Sequence, residues 1–137
     1  MVVRLMACIF IFGFINGLAQ TPDSLLLKSI YFGGGSYYID HSQVVELYDF
    51  IDAVPSLQDY EIIIFSHTDN IGGKEYNEWL SRMRSEAVRQ ELLAKGIDFE
   101  LIEIRDFGLK NPLYTNYSWQ GRRLNRRVDV ILWPVVF

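Results

Sequence analysis

From Ser24 onward the chain alternates short apolar runs with longer stretches of helical periodicity. Leu25 to Phe32 reads as a first strand, and it stops at Gly33-Gly34-Gly35. Three successive glycines disfavour regular strand and permit a loop whose backbone comes close to something else. Asp40 or Ser42 can then cap a helix to about Val54, with Val44, Leu47, Tyr48, Ile51 and Val54 at helical spacing and Pro55 as its stop. Tyr60 to Ser66 contains Ile62-Ile63-Ile64-Phe65, the signature of a strand buried on both faces. A polar stretch with Gly72-Gly73 leads into a long helix from about Glu75 to Lys95, and Gly96 is its natural C-terminal stop. Ile102 to Phe107 alternates apolar and charged residues as a strand does, Gly108 to Asn125 reads as irregular, and Arg127 to Trp133 reads as a last strand. The order β-α-β-α-β-loop-β predicts an α/β two-layer sandwich, with two main helices on one face of a mixed sheet.

The N-terminus follows a different pattern. Arg4 precedes an uncharged apolar run from Leu5 to Ile15, and Asn16-Gly17-Leu18-Ala19 places small residues where a signal peptidase reads them. Residues 1–19 are therefore expected to be a cleaved export signal, and residues 20–137 a single domain with its core at about 28–133. The apolar run is too short for a membrane span, which needs about 20 apolar residues. Cys8 lies inside the run, whereas a lipidation cysteine would close it. Export would also remove the chain's one cysteine, so no disulfide can staple the domain and its core must carry the stability. The expected location is the periplasm, in association with the outer membrane.

Composition narrows the classes. Of 137 residues 50% are hydrophobic and 15% aromatic, which suits one globular domain and rules out disordered or collagen-like readings. The formal charge of −4 disfavours a nucleic-acid partner bound through a broad basic surface. The two histidines, His41 and His67, make a poor metal set, and no H-E-x-x-H, G-x-S-x-G or phosphate-binding loop occurs. A catalytic role and a cofactor are not expected.

The chemistry concentrates in Ser66-His67-Thr68-Asp69-Asn70 and the helix after it. Asp69 follows the end of a buried strand, the edge of an α/β sheet where ligands usually bind. At about 100° per residue, Asn77, Ser81, Arg84 and Val88 share a stripe within about 60°, with Tyr76, Leu80, Met83 and Ala87 as the expected core-facing stripe. This places Arg84 at the boundary between core and water, near Asp69. Two readings stand: an Asp69–Arg84 ion pair that locks the loop to the helix, or a site that receives a zwitterion. In the second, the carboxylate takes an ammonium group and the guanidinium grips a carboxylate bidentately.

These segments resemble the OmpA-like domain family of bacterial envelopes. Ser66-His67-Thr68-Asp69-Asn70-Ile71-Gly72, Tyr76-Asn77, Leu80-Ser81 and Arg84, then Gly108, Pro112, Asn116, Gly121-Arg122 and Asn125-Arg126-Arg127-Val128 follow the family's motifs in order. The resemblance covers about residues 28 to 133. It implies a non-catalytic module that binds peptidoglycan through the diaminopimelate of the stem peptide, held by Asp69 and Arg84. Thr68 and Asn77 match positions that line or support the pocket, and Arg126 or Arg127 is either a second positive contact or structural. The chain departs from the family pattern where Ser66 stands for its glycine, Leu109 for its glutamate and Ser85 for its small alanine, and it departs more in the loop Phe32 to Tyr38, where many relatives have a polar residue such as Asn near Gly35. The alternative function is a protein-interaction module of the envelope, with outer-membrane proteins as partners and Trp79, Tyr117 and Trp119 as exposed aromatics.

Overall fold

The computed structural model describes residues 26–108 and 112–135. Residues 1–19, expected to form the export signal, lie outside the described residues, as does Leu109. The elements run β1 (Leu27–Tyr31), α1 (His41–Asp52), β2 (Tyr60–His67), α2 (Lys74–Ala94), β3 (Ile102–Gly108), α3 (Trp119–Asn125) and β4 (Arg127–Pro134). Single 3-10 turns at Leu57–Asp59 and Phe99–Leu101 lead into β2 and β3. The sheet order is β1-β4-β2-β3. β4 pairs antiparallel with β1 and β2, and β2 pairs parallel with β3, so the sheet is mixed as expected.

The periodicity accounts for the core. Ile62 and Ile64 of β2 share one face with Val128, Val130 and Leu132 of β4 and with Ile30 of β1. Leu47 and Ile51 of α1, and Val88 and Leu92 of α2, pack on that face in a single cluster. Both helices therefore cover the same side of the sheet. Ile63 points to the other side and is also buried, as the continuous isoleucine run implies.

The helix ends follow their local chemistry. Asp40 caps α1 by accepting from the Gln43 N–H at 3.1 Å. α2 ends in a Schellman motif: Gly96, at φ +98°, donates to Leu93 O, and Ile97 donates to Leu92 O.

One expected element differs. The stretch from Gly108 to Asn125 ends in α3, so the order is β-α-β-α-β-α-β. Ser118 caps the helix by accepting from the Gly121 N–H at 2.9 Å. Asn125 organises the loop before it, donating to Tyr114 O at 2.7 Å and to Asn116 Oδ1 at 2.9 Å. Gly121 hid this helix, because glycine is a poor helix former. The structure explains the glycine: a Cβ there would lie 1.8 Å from Thr115 O.

The sheet places one set of chain ends together. Tyr31 pairs with Arg127, His67 pairs with Arg127 and Gly108, Phe32 N donates to Arg126 O, and Thr68 N donates to Gly108 O. The glycine loop after β1, the loop after β2 and the α3–β4 junction thus meet at one end of the sheet. No described helix is long and apolar enough to cross a membrane.

Candidate functional site

The glycine loop is a tight turn in which Ser36 N donates to Gly33 O at 3.2 Å and Gly35 sits at φ +66°. This turn aims two carbonyls at α2. Arg84 Nε donates to Ser36 O at 2.8 Å, Arg84 Nη2 donates to Gly33 O at 3.0 Å, and the guanidinium lies 5.1 Å from the Phe32 ring centroid. Its Nη1 is buried and has no hydrogen-bond partner among the described residues.

Arg84 is 0% exposed, so the expectation of a core–water boundary is corrected. Asn77, Ser81, Arg84 and Val88 form the more deeply buried stripe, whereas Tyr76 is exposed. Asn77 and Arg84 can face inward here because the helix packs on strand ends and a loop, whose carbonyls accept from Asn77 Nδ2 and from Arg84 Nε and Nη2. Burial pulls the Arg84 pKa down to about 10, and the positive charge of Arg126 acts in the same direction against Asp69. Arg84 therefore stays charged at neutral pH.

Asp69 is held differently from the ion-pair reading. Its Oδ1 accepts from the Ile71 N–H at 3.0 Å, and its Oδ2 pairs with Arg126 Nη1 at 3.0 Å. Arg126 Nε also donates to Phe32 O at 3.2 Å. Among the described residues Asp69 and Arg84 form no direct ion pair, although Asp69 acts on Arg84 through its charge. The lock between loop and framework is Asp69–Arg126, which was legible only as an Arg of undecided role.

Asp69, Asn77, Arg84 and Arg126 line one cavity of about 250 Å³, together with Tyr76 and the glycine loops. Asn77 Nδ2 donates to Gly72 O at 3.4 Å and ties α2 to the loop after β2. Gly72 has φ +96°, and a Cβ there would lie 3.0 Å from Tyr76 Cδ1, so this glycine is required; Gly73 has ordinary φ and open space. Thr68 is buried outside the cavity lining. Arg127 points to the opposite face of the sheet.

On that face Asp129 gathers Arg127 Nε at 3.1 Å, Ser29 Oγ at 2.6 Å and His67 Nε2 at 3.3 Å. Burial pushes the Asp129 carboxyl up, but the hydrogen bonds from His67 and Ser29 and the charge of Arg127 outweigh it and hold its pKa below the usual value. His67 thus ties β2 to β4. Ser85, the departure after Arg84, donates to Asp106 Oδ1 at 2.5 Å and links α2 to β3.

The cavity's charges do not cancel. Two guanidinium groups face one carboxylate, and the inner guanidinium keeps an unpartnered N–H. An anionic group of a ligand would complete it. Asp69 has two of about four acceptor positions in use, which leaves room for a donor cation.

Residues 31–126 match the OmpA family. The chain is 41% identical over 69 residues to outer membrane protein A of Bordetella avium, covering 50% of this chain and 36% of that protein. It is 32% identical over 81 residues to peptidoglycan-binding protein ArfA of Mycobacterium tuberculosis, covering 59% of this chain and 25% of that one. The chain thus spans about a quarter to a third of the length of these curated relatives. The crystal structure of the peptidoglycan-associated lipoprotein from Burkholderia pseudomallei superposes with a TM-score of 0.71 at 28% identity, covering 77% of this chain and 89% of that one.

Proposed function

The chain belongs to the OmpA family, and from that premise we propose that it is a non-catalytic peptidoglycan-binding module of the bacterial envelope. Its ligand is the diaminopimelate zwitterion of the stem peptide. The carboxylate of that head group meets Arg84, and its ammonium meets Asp69. The observation that carries this reading is Arg84, charged and with its Nη1 unpartnered, lining the same cavity as Asp69. Two similar proteins point the same way, one termed peptidoglycan-binding and the other peptidoglycan-associated.

The residues divide the work. Gly33 and Ser36 carbonyls hold the Arg84 guanidinium, so its free edge is oriented before any ligand arrives. Arg126 and the Ile71 N–H fix the position of the Asp69 carboxylate. Asn77 braces the loop that walls the cavity. Export through residues 1–19 would deliver the domain to the periplasm, where this polymer lies.

Asp69→Asn keeps the shape and removes the charge opposite the ammonium. Arg84→Lys keeps a charge and loses the fork. Both variants should stay folded and lose sacculus binding, with a penalty of about 2–5 kcal/mol on a soluble diaminopimelate peptide. Stem peptides with lysine in place of diaminopimelate lack the second zwitterionic centre and should bind worse. Unchanged peptide affinity per folded molecule, with only a lower melting temperature, would return both residues to a structural role.

A second reading, a protein-interaction module, draws on exposed aromatics beside the cavity. Trp79 meets Tyr37 edge-on at a centroid distance of 5.9 Å and Tyr76 at a tilt at 5.8 Å, and Tyr38 and Ile71 are exposed. Retention on purified sacculi without any other protein separates the two readings.

A further inference from the structure

A larger hollow, about 750 Å³, lies against the same wall as the first cavity. That is within the ordinary range of about 300–1,000 Å³ for small-molecule sites. Its floor comes from the end of β1 and the start of α1, and its far side from Trp119, Gln120 and Arg123 of α3. Gly33 and Arg126 border it too, and Arg126 lines both hollows.

The charges in this groove are uneven. Asp40 is already engaged as the cap of α1, accepting from Ser42 and twice from Gln43, and these bonds keep it ionised. Gln43 is engaged as well, exchanging hydrogen bonds with the backbone of Tyr31 at the sheet edge. Arg123 is different. It is exposed, lies 5.5 Å from the Trp119 ring centroid and has no carboxylate partner among the described residues. Arg126 uses Nη1 and Nε on Asp69 and Phe32 O, and its Nη2 donates to no described residue. Positions 123 and 126 are three residues apart along α3 and its cap, so they sit on one face of that turn. The stacked indole restricts the Arg123 side chain, which lowers the entropy lost when it grips an anion.

We propose that this groove is a second subsite, in which Arg123 and Arg126 take a free carboxylate of the same peptide whose diaminopimelate fills the first cavity. The group that fits is the α-carboxylate of the γ-linked glutamate that precedes diaminopimelate in the stem peptide. This rests on the reading of the first cavity given above. Arg126, fixed between the two hollows, sets the register of the peptide, and the surface of α3 decides between a charged and an amidated neighbour.

Calorimetric titration of the full chain with three probes tests it. These are free meso-diaminopimelate, the tripeptide L-Ala-γ-D-Glu-meso-diaminopimelate, and that tripeptide with the glutamate α-carboxylate amidated. The unaltered protein should prefer the acidic tripeptide to its amide by about fivefold, a size suited to an exposed charge contact, and added salt should erode the preference. Arg123→Gln should abolish the preference and leave affinity for free diaminopimelate unchanged. Equal affinity for the two tripeptides, or a preference that survives in Arg123→Gln, overturns the second subsite while the first stands. Failure of the unaltered protein to bind any of the probes overturns the reading of the first cavity, and the second subsite with it.

Discussion

Arg84 and Gly72 set what single side chains can do at this site. Arg84 is ringed by backbone carbonyls and an aromatic face, so its position depends on the turn at Gly33–Ser36 as much as on α2. Gly72 combines positive φ with a close Tyr76 ring, and an added methyl meets both penalties. Gly72→Ala should cost about 1–2 kcal/mol of stability and displace Tyr76 from the cavity wall, lowering diaminopimelate-peptide affinity as well. Gly73→Ser, in open space at the α2 N-cap, should change stability by no more than about 0.5 kcal/mol. Urea denaturation of the two variants side by side distinguishes these outcomes. Ser85→Ala removes the hydroxyl bond to Asp106 and should lower stability by about 1 kcal/mol without touching ligand affinity.

At the scale of elements, the short helix α3 carries more than its length suggests. It positions Arg126 for Asp69 and anchors the preceding loop through Asn125 and Arg122, whose Nη1 donates to Asn116 O at 2.9 Å. Gly121 is where the helix and that loop touch. Gly121→Ala would drive a methyl into the Thr115 carbonyl, and because that neighbour is backbone the helix must shift. The expected cost is about 2 kcal/mol or more, read as a lower melting temperature together with weaker ligand binding. Gly96→Ala at the end of α2 is a contrasting change. Its positive φ should cost about 1 kcal/mol, but the space is open and the site is distant, so affinity per folded molecule should hold.

At the scale of the whole molecule, the two sides of the sheet serve different ends. One buries the apolar cluster under both helices, and the other carries Asp129 with its three partners, which join β1, β4 and β2. Because the folded state depresses the Asp129 pKa, the stability it contributes is present above the unfolded carboxylate value of about 3.9. It is lost as pH falls through the lower folded value. Asp129→Asn should therefore reduce stability at pH 7 and shrink the difference between pH 7 and pH 3. Unfolding followed by tryptophan fluorescence at the two pH values measures it. A change that is the same size at both would mean that Asp129 acts through packing alone.

The order of strands and helices was legible because its signals are local. Alternation marks β3 and β4, the isoleucine run marks a strand buried on both faces, and Asp40 and Gly96 mark helix ends through bonds spanning a few residues. The motif residues Asp69, Asn77, Arg84 and Arg126 could likewise be named from the chain, and folding gathers them on one cavity. Who pairs with whom was another matter. Asp69 and Arg84 are near in sequence and invite a pair, yet Asp69 pairs with Arg126, a long way along the chain, because β4 starts where β2 ends. The burial of Arg84 could not be read from its helix, since its acceptors are carbonyls of a glycine turn on another element. Nor could α3 be read past Gly121, whose reason is a contact across a loop. Hydrophobic period and capping act over neighbouring residues and are written in the chain. Charge pairing, burial of polar groups and close backbone approach are settled only when the sheet brings distant segments to one end.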